Sequence, residues 1–448
     1  MSTLAAAFAR FVVLLDATTL PAEVEEKARV CLLNGLGIGL DCHATPYAGV
    51  ARAAVIAMDG EIAAGATLLG DGRRTTIGGA CIANGALFHG RAQEDASGAA
   101  HLGTILIPLL IAMIEVRRYP LDRLLPSLVA GYEVGGVLEQ TYAGQTTPAG
   151  FRSTATYGVI AAAAAAARMM ALPEAQTAAA LANAVSFTGG VLQSFADGTD
   201  EWRYQPGVIA RSGLTAAELA RCGSVSAPHA FEGKAGLIAA FARAGCDVAS
   251  IAEGLGRRWN IHRVAFKPYP VCAFNQTPVT AALELHRAQP DADWQSVVVR
   301  MNPYECGYAG MDARGPFSTI SGTLMSIPFC IATTLRHGVP DMTRMTTYDD
   351  AGVNALVARI ELVPDDAVPV LSCVIEAQAR DGELRVLEQR MTAQDYNYDR
   401  AQVSALVRRI GAEQHVPEAA FDRIERFVEQ LPNNSRLEDV LSAFHLLA

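Results

Sequence analysis

The stretch HRVAFKPYP at residues 262–270 divides the sequence into two parts of different character. Before it, apolar residues at helical spacing continue almost without interruption. After it, runs rich in β-branched residues, such as WQSVVVRMN at 294–302, predict strands, as does the stretch itself. From about residue 399 the pattern is helical again. We therefore predict a mainly α fold with a smaller α+β part.

These changes give the domain boundaries. Both chain ends, 1–263 and 398–448, are predicted to form one large all-helical domain, into which an α+β lid domain of residues 264–397 is inserted. Asp381-Gly382 between two apolar runs is a hairpin signal. The helices expected before and within the lid cover residues 21–41, 47–57, 78–90, 103–117, 121–143, 153–170, 173–187, 206–222, 229–243, 275–289, 318–337 and 349–358.

Composition excludes several classes of protein. Of the 448 residues 51% are hydrophobic and 18% are charged, which requires a large buried core in roughly two or three domains. The net charge of -10, without a basic run, argues against a nucleic-acid partner. The nine cysteines form no CxxC pair and suit free thiols in a reducing cytoplasm. No apolar run is long enough to span a membrane, and we expect no signal peptide.

The common catalytic motifs are absent from the sequence. It contains no GxSxG, no Walker loop, no HExxH and no GxGxxG after a strand. GLGIGLD at 35–41 lies in a helical apolar run and predicts close helix packing rather than a phosphate loop. A polar segment, RAQEDASGAAH at 91–101, interrupts two apolar helices. His89, Glu94, Asp95 and His101 could form a metal site there, but we prefer a mechanism without metal or cofactor.

Six motifs in a fixed order resemble one family. They are NGALFHG (84–90), HLGTILIPLLIA (101–112), TPAGFRSTATYGVIAAAAAAARMMAL (147–172), PGVIARSGLTAAELARCG (206–223), FKPYPVCAFNQ (266–276) and LMSIPFCIATTLRHG (324–338). Together they cover nearly the whole chain, which is identified as similar to the MmgE/PrpD family.

This resemblance implies both fold and chemistry. Members have a helical domain and an α+β lid, usually as a homodimer with the pocket between the domains. The family includes 2-methylcitrate dehydratase, cis-aconitate decarboxylase and iminodisuccinate epimerase. These enzymes act on small polycarboxylates at carbon next to a carboxylate, in most cases without a required metal.

The sequence departs from the family pattern at several pocket positions. A count back from His101 puts Arg91 where an Asp is usual, and Arg152 replaces a His. Trp202 stands where a Lys is frequent, beside Arg203. Asn275 and Phe329 replace a His and another aromatic residue. Since Arg binds carboxylates but is a poor acid or base, the pocket is predicted to have exchanged proton-transfer groups for carboxylate anchors.

We therefore expect an epimerase that acts at the Cα of an amino-polycarboxylate such as iminodisuccinate. Lys267 and His101, which the pattern retains, would remove and return the proton. Arg91, Arg152 and Arg203 would hold carboxylates. A hydro-lyase or decarboxylase of a small tricarboxylate is the alternative, followed by an inactive homologue and a metal-dependent hydrolase.

Each of these residues also has a structural interpretation. Lys267 could be a solvated surface residue, His101 a capping or core residue, and the arginines partners of nearby acids or helix ends. Further residues could line the pocket or orient His101, and their roles stay open at this point: Glu94, Asp95, Tyr142, Tyr157 and Arg314.

Overall fold

The computed structural model describes residues 3–447, and its architecture confirms the mainly α fold with an α+β part. The first part of the chain contains α1 (Leu4–Leu14), α2 (Ala22–Asp41), α3 (Pro46–Asp59), β1 (Ala66–Thr67), β2 (Arg74–Thr75), α4 (Ile77–Phe88), α5 (Gly103–Arg117), α6 (Leu124–Thr146), α7 (Ser153–Met169), α8 (Glu174–Val185), α9 (Gln193–Asp197), α10 (Gln205–Arg221) and α11 (Val248–Gly254). The last part contains α18 (Arg400–Glu413), α19 (Glu418–Gln430) and α20 (Leu437–His445).

The glycines of α2 let the C-terminal helices pack against this body. A Cβ on Gly37 would lie 2.6 Å from Cγ1 of Val407 in α18, and one on Gly39 would lie 2.6 Å from Cε2 of Phe88 in α4. Both distances are too short for real contacts, so any larger residue would separate the helices. The prediction that GLGIGLD serves close helix packing is confirmed.

The middle of the chain contains the sheet. Its elements are α12 (Gln276–Ala288), β3 (Trp294–Met301), α13 (Pro303–Cys306), α14 (Ile320–Met325), α15 (Ile327–His337), α16 (Met342–Met345), α17 (Ala351–Val357), β4 (Ile360–Pro364), β5 (Ser372–Ala379) and β6 (Leu384–Arg390). The strand order is β4-β3-β5-β6, with β3 and β4 parallel and the other pairs antiparallel. β5 and β6 form the hairpin expected at Asp381-Gly382, where Gly382 has φ +92°.

Three local predictions were wrong. Residues 262–270 form no strand but a 3₁₀ turn and a single antiparallel bridge at Ala265, because Pro268 and Pro270 cannot donate to a ladder. Residues 229–243 are mostly turns, with a π-helical turn at Ile238–Ala242. The expected helix 318–337 is broken at Ser326, whose hydroxyl caps α15 by accepting from the Phe329 amide at 3.0 Å.

The apolar core falls into two large clusters. One combines residues 4–266 with residues 403–444, and the other consists mainly of residues 269–379 together with a few side chains from the helical part, Trp202 among them. The boundaries at residues 264 and 397 stay a prediction, which this division supports. In the described part of the chain, none of the helices is both long and apolar enough to cross a bilayer.

Candidate functional site

A single backbone bridge joins the polar segment to the start of the predicted lid. Ala96 and Ala265 exchange two N–H···O bonds of 2.9 Å in an antiparallel pairing. In that register Glu94 lies opposite Lys267, two residues along each chain. Both side chains point the same way, and Lys267 Nζ donates to Glu94 Oε1 at 2.5 Å with both groups buried. The bridge therefore places a buried ion pair between the two parts of the chain.

His101 is brought back to this ion pair by a tight turn. Ser97 and Ala100 are paired by two backbone bonds around Gly98, which has φ +60°. His101 Nδ1 lies 2.8 Å from the Asp95 carbonyl oxygen and 3.5 Å from Glu94 Oε1. A bond from Nδ1–H to the carbonyl leaves Nε2 as the basic nitrogen. The His101 side chain is 16% exposed, so a ligand can reach the imidazole ring.

A second histidine lies beside Glu94. His89 follows the last residue of α4, and its Nδ1 lies 3.0 Å from Glu94 Oε2. Its Nε2 accepts a bond of 2.6 Å from Arg152 Nη2, and its ring stands edge-on to Trp202 at 4.7 Å. We call His89, Glu94, His101 and Lys267 the Glu94 cluster.

Burial and mutual contacts set the charges within this cluster. Burial lowers the pKa of His89 to about 4. Burial, and then the Lys267 cation, lower the pKa of His101 well below its ordinary value. Burial alone would raise the pKa of Glu94, but His89, Lys267 and His101 outweigh it and hold that pKa well below the usual range. The favoured state has an ionised Glu94 beside two neutral imidazoles.

Asp95 holds the polar segment 91–101 in place through hydrogen bonds. Its carboxylate accepts bonds from the Tyr132 hydroxyl at 2.6 Å and from the Gly103 amide at 3.2 Å. Burial raises its pKa to about 6. Because the Asp95 carbonyl also receives the His101 bond, Asp95 orients that imidazole from its main chain.

Of the three predicted arginines, only Arg152 contacts the cluster. Besides the bond to His89, its guanidinium donates to the Trp202 carbonyl at 2.6 Å and to Gln205 Oε1 at 3.0 Å. Burial lowers the Arg152 pKa to about 10. A fixed cation therefore lies beside the imidazole of His89.

The Arg203 guanidinium makes a different set of contacts from that of Arg152. Its guanidinium lies between the rings of Tyr47 and Trp202, at 3.9 and 4.0 Å from their centroids. It donates to Asp200 at 3.0 Å and to the Ser321 hydroxyl, which lies in the predicted lid. Among the described residues, no hydrogen bond or ion pair joins Arg203 to the Glu94 cluster.

Arg91 points to the opposite side of its segment. Its Nη2 donates to Glu413 in α18 at 2.6 Å and its Nε donates to Gln93 at 3.0 Å. Gln93 and Arg409 in turn donate to the Pro268 carbonyl, at 3.3 and 2.8 Å. We call Arg91, Gln93, Arg409 and Glu413 the Arg91 cluster. It ties α18 to the main chain beside Lys267, and no bond of Arg91 within residues 3–447 reaches the Glu94 cluster.

From the sequence, His89 and Glu94 were considered as metal ligands and Glu94 also as a residue that could orient His101, but neither was predicted as a partner of Lys267. Counting ten residues back from His101 selected Arg91, whereas the residue that meets Lys267 is Glu94, three positions later. The pattern NGALFHG ends on His89 and was the available signal. The open candidates Tyr142, Tyr157 and Arg314 bond elsewhere, to the Gly245 carbonyl, Thr146 and the Val357 carbonyl. Within residues 3–447, no three His, Cys, Asp or Glu side chains are arranged to hold a metal ion.

Comparison with known proteins gives two family matches and one relative. The MmgE/PrpD N-terminal domain model matches residues 6–246, and the MmgE/PrpD C-terminal domain model matches residues 269–403. The cis-aconitate decarboxylase-like protein oryM of Aspergillus oryzae (strain ATCC 42149 / RIB 40) is 28% identical over 293 residues. That match covers 62% of this chain and 60% of the relative.

Proposed function

The chain belongs to the MmgE/PrpD family, and we propose that it is a lyase that removes water or carbon dioxide from a small polycarboxylate. The observation that carries this proposal is the Glu94 cluster, in which Lys267 and His101 share one buried carboxylate. The name of the Aspergillus relative, a cis-aconitate decarboxylase-like protein, supports the same class.

The cluster suits proton transfer at carbon. Either reaction moves a proton to or from a carbon next to a carboxylate, and negative charge builds up on that carboxylate. His101 Nε2 is the proposed base, because its Nδ1 proton is bonded to the Asp95 carbonyl. Lys267 is the proposed acid and also the cation that stabilises the developing charge. Glu94 is a positioning residue that holds both groups.

The expectation of an epimerase rested on the loss of an acid and a histidine from the pocket. Glu94 supplies an acid beside Lys267, and His89 supplies a second imidazole. That reason for preferring the epimerase is therefore gone. Epimerisation of an amino-polycarboxylate such as iminodisuccinate stays as a second candidate, because removal and return of a Cα proton needs only a base and an acid such as His101 and Lys267.

One experiment separates these reactions. Chelator-treated enzyme is incubated in D2O with cis-aconitate, 2-methylcitrate or iminodisuccinate, and the substrates are followed by proton NMR. We expect product signals from one of the first two acids. Exchange of the Cα protons of iminodisuccinate, without turnover of the other acids, would replace the lyase by the epimerase. If all three substrates stayed unchanged, both proposals would be wrong.

A further inference from the structure

One buried lysine contacts both points at which the chain passes between the helical part and the predicted lid. Lys27 lies in α2 and is 6% exposed. Its ammonium donates to the Val264 carbonyl at 2.7 Å and to the side-chain oxygen of Asn397. Val264 lies where the chain enters the predicted lid, and Asn397 lies where the chain returns to the helical part. A single side chain therefore joins α2 to both crossings.

The two crossings are also bonded to each other. The Phe266 amide donates to the Tyr396 carbonyl at 2.9 Å. The side-chain amide of Asn397 donates to the His262 carbonyl at 3.4 Å. Lys27 Nζ lies 4.3 Å from the centroid of the Phe266 ring, which is a cation–π contact. These contacts gather both crossings around one ammonium.

The same contacts determine the position of Lys267. Phe266 directly precedes Lys267, and Ala265 before it is held by the bridge to the polar segment. On the other side of Lys267, the Pro268 carbonyl accepts two hydrogen bonds. The main chain is thus fixed on both sides of Lys267, and Lys27 is the contact that ties the preceding residues to α2.

The charge of Lys27 is not used in a salt bridge. Burial disfavours the charged form and lowers the pKa of Lys27. No carboxylate among the described residues is bonded to its ammonium. Burying an ammonium without a bonded acid is unfavourable unless hydrogen bonds replace those to water, so a neutral side chain would fill this space at lower cost. Two oxygen acceptors and a ring face supply the missing contacts, which indicates that the charge serves to hold the crossings.

We propose that Lys27 is a positioning residue, which holds the main chain of residues 264–267 so that the Lys267 ammonium stays beside Glu94 and His101. This inference rests on the proposed function, in which Lys267 is the acid. A displacement of about 1 Å in a reacting group can lower the rate about 10²-fold. Because both hydrogen bonds of the Lys27 ammonium are made within the protein, its loss should act on kcat rather than on KM.

The test compares Lys27→Met with Arg29→Met at a nearby position of α2. Arg29 donates to the carbonyls of Val428 and Leu431 at 2.8 and 2.9 Å, so its loss also removes bonds from a cation of α2 to main-chain carbonyls, but at the C-terminal helices. Steady-state kinetics use cis-aconitate or 2-methylcitrate, whichever the enzyme turns over. Lys27→Met is expected to lower kcat at least ten-fold with KM changed less than three-fold. Arg29→Met is expected to change neither constant more than three-fold.

Two kinetic results would overturn the positioning role. One is a folded Lys27→Met protein whose kcat lies within three-fold of wild type, and the other is an equal loss of kcat in Lys27→Met and Arg29→Met. If circular dichroism shows that Lys27→Met does not fold, Asn397→Leu takes its place under the same criteria, because it removes the acceptor at the second crossing.

A failure of the proposed function gives a different outcome. If neither acid is turned over, the lyase proposal fails, and Lys27 is then tested by hydrogen–deuterium exchange of the free protein. The Phe266 amide is expected to exchange at least ten-fold faster in Lys27→Met than in wild type, and to change less than three-fold in Arg29→Met. An unchanged exchange rate in Lys27→Met would overturn the positioning role.

Discussion

The Glu94 cluster and the Arg91 cluster each take two residues from the segment 89–95, yet they offer opposite chemistry. In the Arg91 cluster a guanidinium with no exposed side-chain surface is bonded to a carboxylate and an amide of the protein. In the Glu94 cluster His101 is partly exposed, its Nε2 has no bond within residues 3–447, and Lys267 is among the residues that line a cavity. The first arrangement fastens the chain, and the second can meet a ligand.

This difference shows why charge type alone is a poor guide to a pocket. The guanidinium of Arg91 is buried and already bonded to Glu413 and Gln93, so its charge is used within the protein. A lysine and two imidazoles are groups that can donate or accept a proton in a reaction, which a guanidinium does poorly. Variants test this comparison. A substitution in the Glu94 cluster should lower activity, whereas a substitution in the Arg91 cluster should lower stability.

The largest effect is expected from Lys267→Met. Removal of the proposed acid should lower kcat/KM about 10²- to 10⁴-fold, because general acid–base catalysis contributes about that much. Lys267→Arg, which keeps the charge but cannot transfer a proton at working pH, should lose activity similarly. Lys234→Met, at an exposed lysine, is the control. Steady-state kinetics within a few-fold of wild type for a folded Lys267→Met protein would remove Lys267 from the mechanism.

Arg91→Met should show the reverse behaviour. Loss of the bonds from the buried guanidinium to Glu413 and Gln93 is expected to lower the free energy of unfolding by about 3 kcal/mol, with KM changed less than three-fold. Urea denaturation and steady-state kinetics measure the two quantities. Arg117→Met, in a largely exposed pair with Glu218, is the control. A KM raised ten-fold at unchanged stability would restore Arg91 as a substrate anchor.

The pH dependence of stability tests His89. Its folded pKa of about 4 lies below the value of 6.5 for an unfolded imidazole. Between those values the unfolded chain binds a proton that the folded chain does not, so stability falls as pH falls through this window. The stability advantage of wild type over His89→Gln should therefore shrink by about 3 kcal/mol from pH 7 to pH 4. The raised pKa of Asp95 opposes the trend in both proteins and cancels in the difference.

Denaturant unfolding at several pH values provides this comparison. A difference between wild type and His89→Gln that stays constant from pH 7 to pH 4 would mean that His89 is not held neutral in the folded protein. It would also place His89 outside the electrostatics of the Glu94 cluster.

The smallest effect is expected from Ser321→Ala. This hydroxyl accepts bonds from Arg203 Nη1 and from Trp202 Nε1, the latter at 3.2 Å. Two buried donors lose their acceptor, which should lower the free energy of unfolding by about 1–2 kcal/mol while kcat/KM stays within three-fold. Thermal unfolding measures this, with Ser212→Ala on α10 as control. A large loss of kcat/KM would bring Arg203 back as a site residue.

Local chemistry made most of the fold predictable. α5 (Gly103–Arg117) matches its predicted range, and β5 and β6 form the predicted hairpin, because periodicity and the Asp381-Gly382 turn act over a few residues. The helix predicted at 229–243 was wrong, because the helix propensity of these residues gave no indication of the turns that they form. Two of the five predicted site residues, Lys267 and His101, lie in one cluster, and Arg152 touches it through His89.

The sequence by itself determined the mainly α architecture, the inserted sheet and the family motif order, and it selected Lys267 and His101 as candidates. Only the tertiary structure decided which charged residue of 89–95 faces Lys267. The Ala96–Ala265 bridge pairs residues that are 169 positions apart, and its register places Glu94 opposite Lys267. A shift of three residues is invisible to counting along a loop. In the folded structure, this shift of three residues replaces the permanently charged guanidinium of Arg91 by the carboxylate of Glu94, which holds a lysine and two histidines.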